Sequence, residues 1–386
     1  MCRWNHQLDP RKNSKEPRKN SKDSFLDPML PAMKRFSSTW IKQSGKILVT
    51  TQELQSSLQS HEPLVLLDAS WHMPNAQRNA VQEHQDKRIP TAQFFDIDSI
   101  SDPMGSNTNP SQLPHQLPTN DMMRMKTAKL GVLSDDVPVV VYDSHGMFSC
   151  ARVWFMLHAY GHRSVYLLDG GLPLWEAEGR DLMRGPEPIV QEHEKDDDSA
   201  SPSPSIDLFG DGSSTSNHNQ RDQRVSVELD RDVVRTYDQV LDHVRKKNAI
   251  IVDARSERRF YGKDPEPRPN LRSGHIPTSK SLPFTTLLTT EDINGIAVTR
   301  FHTKKAIRDI VKTSKDSAFG DAGEGFSAGG LTGARTPVVA TCGSGVTACV
   351  VAAGMRIAGF DHTLAVYDGS WSEWGSREDP EDVRVD

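Results

Sequence analysis

The sequence predicts an α/β protein of two tandem domains, each a parallel β-sheet flanked by helices, on three observations. Its 386 residues exceed the length over which one hydrophobic core keeps growing. Short apolar, β-rich runs alternate with helix-length apolar segments at 151–160 and 348–357, the pattern of parallel strands joined through helices. The second half of the chain also repeats the first, motif by motif and in the same order.

The repeat begins with an apolar run ending in an acid, LVLLD at 64–68 and AIIVD at 249–253, each followed by alanine and each read as a buried strand. Arg88-Ile89-Pro90-Thr91 and His275-Ile276-Pro277-Thr278 come next and read as turns between neighbouring strands. The runs PVVVY at 138–142 and PVVAT at 337–341 are the second buried strand of each half. Asp169-Gly170-Gly171 and Asp368-Gly369-Ser370 follow, closed by Trp175 and Trp374. The tryptophans at 71, 154, 175, 371 and 374 are expected in the core or between domains, because aromatic side chains bury large areas.

Three segments lie outside the repeat. Residues 1–44 are rich in Lys, Arg, Asn and Ser without an apolar period, which predicts a disordered tail. Within it, 29–46 is basic and serine-rich without acids, the composition of a mitochondrial presequence, so a mitochondrial or cytoplasmic location is expected. Residues 186–225 (EHEKDDD, SASPSPS, DGSSTSNHNQRDQR) read as a disordered linker, and the glycine-rich 314–335 as a flexible surface insertion. The domains are therefore expected at 45–185 and 226–379.

Hydrophobic residues make up 35% of the chain, and no apolar run approaches the roughly 20 residues that cross a bilayer. The net charge of −6 provides no overall attraction to nucleic acid or anionic lipid, so neither is an expected partner. Cys2, Cys150, Cys342 and Cys349 are too few for a disulfide scaffold and form no CxxC pair that would suggest zinc.

Sites in parallel sheets lie beyond the strand C-termini, and there the halves differ. The loop after the 338–341 strand is Cys342-Gly343-Ser344-Gly345-Val346-Thr347-Ala348, whereas its counterpart is Asp143-Ser144-His145-Gly146-Met147-Phe148-Ser149. A glycine turn feeding a helix N-terminus directs backbone N–H groups and partial positive charge at its centre, so Cys342 is expected to be held as a reactive thiolate. Cys349 and Cys150 read as core residues of the following helices. A cysteine in such a nest also suits phosphate attack, but that chemistry needs an arginine after five intervening residues, where this chain has Ala348.

These motifs resemble the tandem-domain rhodanese family. CGSGVTA is similar to the active loop of its 3-mercaptopyruvate sulfurtransferase branch, whereas the thiosulfate-using branch has basic side chains after the cysteine. Further matches are DARSERRFYGKDPEPRPNLRSGHIPTSKSLPF at 253–284, DASW at 68–71, FFDID at 94–98 and DGSWSEW at 368–374. The resemblance implies two rhodanese-like domains, the first silent and the second catalytic, acting through a persulfide on Cys342 without metal or organic cofactor.

It further implies that Arg259 and Arg268 bind the substrate carboxylate and keto oxygen, a task for which planar guanidiniums are suited. Gly343, Gly345, Val346 and Thr347 complete the substrate loop, and Ser344 works with His115 and Asp98 of the first domain in moving a proton. The expected donor is 3-mercaptopyruvate or thiosulfate, and the acceptor a thiol, as on thioredoxin-like proteins, or cyanide. Thiosulfate:cyanide sulfur transfer and persulfide carriage for tRNA thiolation or cofactor sulfuration are the alternatives.

Overall fold

Each half is built outward from a buried strand that ends in an aspartate. The computed structural model describes residues 46–132, 137–186, 227–313, 336–360 and 364–377. The predicted tail, the insertion at 314–335 and, apart from Pro186, the linker lie outside the described residues. In the first half, β1 (Leu48–Val49), β2 (Val65–Asp68), β3 (Gln93–Phe94), β4 (Val139–Tyr142) and β5 (Val165–Leu168) form one sheet in the order β1-β5-β4-β2-β3. In the second, β6 (Val234–Arg235), β7 (Ile250–Asp253), β8 (Lys280–Ser281), β11 (Val338–Thr341) and β12 (Leu364–Tyr367) repeat it as β6-β12-β11-β7-β8. Every pairing in both sheets is parallel. The two sheets flanked by helices agree with the α/β architecture expected from the repeat.

The central strands are apolar without alternation because both faces are covered; every residue of β2, β4 and β11 is buried. The covering helices are α1 (Thr51–Gln59), α2 (Ala80–Asp86), α3 (Ile97–Ile100), α4 (Asn120–Lys129), α5 (Cys150–Ala159) and α6 (Gly171–Ala177) in the first half. The second half has α7 (Tyr237–Lys246), α8 (Glu257–Phe260), α9 (Lys304–Thr313), α10 (Val346–Ala358) and α11 (Ser370–Trp374). Helices α1 and α7 each open with a capping box, Thr50 with Glu53 and Thr236 with Gln239, which satisfies N–H groups the helix itself leaves open.

Helices α5 and α10, one from each half, pack against each other. Both are apolar on nearly every face, as a helix enclosed on all sides must be. Val153 and Phe155 of α5 share one continuous hydrophobic cluster with Val350 and Ala353 of α10. The C-terminal ends of the two sheets are thereby brought to a common seam.

One element was not anticipated. Strands β9 (Leu288–Ile293) and β10 (Ile296–Phe301) form an antiparallel hairpin that, among the described residues, has no counterpart in the first half. Its turn, Asn294-Gly295, has φ of 54° and 83°, the left-handed conformation that a tight two-residue hairpin turn demands. The hairpin reaches across to the first half, where Val298 packs with Leu174 and Ala177 of α6 and Asn294 Nδ2 donates to the Ala177 carbonyl at 2.9 Å.

Gly146 shows how close that approach is. Its φ is +97°, and a Cβ there would collide with the backbone carbonyl of Thr299 in β10. Gly146→Ala is therefore expected to destabilise the fold by about 1–3 kcal/mol, the cost of a non-glycine residue forced into a sparsely populated conformation. Urea denaturation followed by circular dichroism checks this, and an unchanged midpoint would mean that the hairpin yields freely.

Candidate active site

Strand β11 ends at Thr341, and the next residue, Cys342, is buried at the head of the turn that leads into α10. Gly345, with φ of +82°, occupies the N-cap, so Val346 and Thr347 form the first turn of a 13-residue helix. The turn is pinned from outside by the Ser370, Trp371 and Ser372 segment. The Trp371 N–H donates to the Cys342 carbonyl at 3.0 Å, and Ser372 gives both its N–H and its hydroxyl to the Gly343 carbonyl, at 2.8 and 2.7 Å. The Cys342 N–H donates to Ser370 Oγ at 3.3 Å. These bonds fix the loop from its carbonyl side.

The corresponding turn of the first half shows what this backbone can hold. Asp143 occupies the position of Cys342, since Leu172 N–H bonds its carbonyl as Trp371 N–H bonds that of Cys342. Its carboxylate accepts the N–H groups of His145, Phe148 and Cys150 at 2.9, 2.8 and 2.9 Å. A turn at this point in the fold thus converges amides on an anion.

Two guanidiniums face the Cys342 turn. A Cβ built on Gly343 would lie 3.2 Å from Arg259 Nη2 and 3.7 Å from Arg268 Nη1. Arg259, in α8, is held by the buried carboxylate of Glu266, which also binds Arg255 Nη1 at 2.8 Å. Arg255 in turn grips Asp253 at the end of β7 and lies over the Trp371 ring, 4.3 Å from its centroid. Burial lowers the Arg268 pKa; negative charge at Cys342 opposes this and the cation of Arg259 adds to it. Neither Glu266 nor Arg255 was singled out from sequence, although both lie in the 253–284 stretch.

Ser344, His115 and Asp98 come together across the seam. Ser344 Oγ lies 3.0 Å from His115 Nδ1, and His115 Nε2 lies 2.9 Å from Asp98 Oδ1. With Asp98 accepting from Nε2–H, Nδ1 is left to accept the Ser344 hydroxyl proton. Burial pushes the His115 pKa below its ordinary value; the bond and charge of Asp98 oppose this, while the cations of Arg152 and Arg268 reinforce it. Partial burial tends to raise the Asp98 pKa, but His115, the Trp71 N–H and Arg268 together hold it below the usual carboxylate range.

Trp71, read from sequence as packing alone, donates Nε1–H to Asp98 Oδ2 at 2.9 Å and stands edge-on to the His115 ring. The stretch between Asp98 and His115 is organised by Asn109. Its fully buried amide bonds the carbonyls of Asp102 and Leu113 and the N–H of Leu113. Among the described residues, no group of three or more His, Cys, Asp or Glu side chains is placed to hold a metal ion.

A thiol under two cations, beside a hydroxyl backed by an imidazole and a carboxylate, equips the fold for nucleophilic group transfer on a small anionic substrate. The rhodanese-like domain model matches the chain at residues 50–178 and 236–377. Thiosulfate/3-mercaptopyruvate sulfurtransferase 1, mitochondrial, of Arabidopsis thaliana is 34% identical over 347 residues, 89% of this chain and 79% of that protein. The 3-mercaptopyruvate sulfurtransferase of Rattus norvegicus is 34% identical over 88% of this chain and 96% of its own length. Among solved structures, SseA from Escherichia coli, described with the rhodanese fold and catalytic mechanism of 3-mercaptopyruvate sulfotransferases, superposes with a TM-score of 0.60. Its identity is 26%, over 84% of this chain and 99% of its own.

The chain belongs to the rhodanese-like domain family and carries two copies of the domain.

Proposed function

We propose that the protein is a sulfurtransferase that takes sulfur from 3-mercaptopyruvate through a persulfide on Cys342 and passes it to an acceptor thiol or to cyanide. The observation that carries this reading is the pair Arg259 and Arg268 over the Gly343 backbone, beside the one thiol among the described residues that stands at the head of such a turn. Two guanidiniums there can grip the carboxylate and keto oxygen of a short keto acid and leave its sulfur against Cys342.

In the first half-reaction the Cys342 thiolate attacks the substrate sulfur. An S–S bond forms, the C–S bond breaks, and its electron pair passes into the pyruvate enolate, whose oxygens face Arg259 and Arg268. The substrate's S–H proton leaves through the Ser344 hydroxyl to His115 Nδ1 and returns to the enolate carbon, giving pyruvate and the Cys342 persulfide anion. In the second, an acceptor thiol takes the outer sulfur as its own persulfide and regenerates the Cys342 thiolate. Asp98 orients the imidazole and balances its charge while it holds the proton. The division into a silent domain at 45–185 and a catalytic domain at 226–379 belongs to this proposal. It is supported by the carboxylate of Asp143, which fills in the first turn the place that Cys342 holds in the second.

Thiosulfate is the second donor to weigh. The Arabidopsis relative is named for both donors, but in this chain Gly343 and Ser344 add no cation to meet a dianion, and Arg259 and Arg268 already crowd position 343. A protein acceptor of thioredoxin type and a mitochondrial location are also proposed. The latter is supported by the basic, acid-free 29–46 stretch and by the mitochondrial relative.

Steady-state rates with each donor, with cyanide as common acceptor, test the reading. The expected kcat/KM for 3-mercaptopyruvate exceeds that for thiosulfate by about tenfold or more, the equivalent of one charge-assisted contact. A preference for thiosulfate would reverse the donor assignment, and turnover with neither donor except in the presence of one protein acceptor would favour a persulfide carrier.

A further inference from the structure

Arg152 lies on α5 in the first half and its side chain has no solvent exposure, yet most of its partners belong to the site. Nη2 donates to the His115 carbonyl at 2.5 Å and to Asp368 Oδ1 at 2.7 Å. Nη1 reaches the Gly345 carbonyl at 3.5 Å, and a Cβ on Gly345 would lie 3.1 Å from the same nitrogen. Asp368, just beyond β12 in the second half, uses its other oxygen to accept the Leu117 N–H at 2.8 Å. The loop that carries His115 is therefore held at residues 115 and 117 by the two ends of one ion pair that spans both halves.

That loop needs holding. His115 has a φ of +58°, a left-handed conformation that a histidine keeps only where surrounding contacts impose it. The same guanidinium lies under the turn that presents Cys342 and Ser344. A planar fork can fix two acceptors at once in set directions, which an ammonium cannot.

We propose that the Arg152–Asp368 pair is a positioning device that locks the His115 loop to the Cys342 turn, so that His115 Nδ1 meets Ser344 only through this clamp. The proposal deepens the reading given above, because it concerns the proton path of the same site. It also assigns the first half a working part: α5 supplies the cation, and the first domain does more than cover the second. Four charged groups act on the imidazole or its loop. Asp98 and Arg268 face the ring, and Arg152 and Asp368 hold its backbone.

The test uses the full chain with Arg152→Lys, Arg152→Met and Asp368→Asn. Two measurements are made on each variant: kcat and KM with 3-mercaptopyruvate across pH, and the titration of the His115 ring followed by NMR, which does not depend on the donor. Arg152→Lys keeps the charge and loses the fork. It is expected to lower kcat by about 10- to 100-fold with KM within about threefold, leaving the ring titration near that of the wild type. Arg152→Met removes the cation as well, so the His115 titration and the acid limb of kcat move together to higher pH. Alkylation of Cys342 by iodoacetamide, which needs no His115, is expected to stay within about threefold in all three variants.

If the Met variant fails to fold, Asp368→Asn decides the matter, since it keeps the shape, removes the charge and leaves one accepting oxygen where Arg152 and the Leu117 N–H now use two. Its kcat should fall while alkylation holds. Wild-type kcat in Arg152→Lys and Asp368→Asn would overturn the proposal, as would parallel losses of kcat, alkylation rate and melting temperature, which mark a purely structural residue. The donor comparison on the unaltered protein settles the donor separately, so the two ideas fail on different measurements.

Discussion

Cys342→Ser protein is expected to take up no sulfur from 3-mercaptopyruvate and to lose turnover by about four orders of magnitude or more, as enzymes do when a nucleophile is removed. A serine hydroxyl ionises far above neutrality and cannot form a persulfide. The other described thiols offer no substitute. Burial pushes Cys349 up to about 12 despite the opposing charge of Arg152, and burial with Asp143 beside it pushes Cys150 well above its ordinary value. Intact-protein mass spectrometry after incubation with the donor should show one added sulfur atom on the wild type and none on the variant. Peptide mapping that found the sulfur on Cys349 or Cys150 would remove Cys342 from the centre of the mechanism.

The second large effect concerns His115. Replacing it with alanine is expected to lower kcat by about 10²- to 10⁴-fold, the usual worth of a placed proton carrier. The direction of the pH dependence follows from its surroundings. Activity requires the neutral imidazole, and burial, with Arg152 and Arg268, lowers the pKa below 6.5 against the pull of Asp98. As pH falls, the wild-type enzyme therefore keeps its rate beyond the point at which an ordinary histidine would have gained a proton, and the acid limb of kcat lies below 6.5. Asp98→Asn removes the one influence that raises the pKa, so its acid limb should move lower still while kcat falls. An acid limb above 6.5 in the wild type, or one unmoved in His115→Ala, would exclude this residue as the titrating group.

The sheets were legible because their central strands are short, apolar and closed by an acid, and because the same order occurs twice. The Cys342 loop was legible for a related reason: set against its own repeat, it has a thiol where the first copy has Asp143. The hairpin at 288–301 was missed although Asn294-Gly295 announces it; the flanking runs alternate weakly, and nothing in the first half corresponds to them. Arg152 was hidden inside the apolar run CARVWFMLHA, where a lone cation looks incidental. Its partners Asp368 and Gly345 lie in the other half of the chain, a proximity that local spacing cannot encode. Trp71 was placed correctly as a buried aromatic, but its bond to Asp98 depends on two loops meeting at the end of one sheet.

The hairpin that rests on Gly146 gives the duplication a direction. An Asp143→Cys exchange would put a sulfur atom at the head of the first turn, but the Thr299 backbone would still press on that turn, and Arg78, which reaches Ser144 there, is already paired with Glu83. The ribbon of one copy thus leans on the turn of the other, and a second workplace would need that ribbon to shift as well as a new side chain.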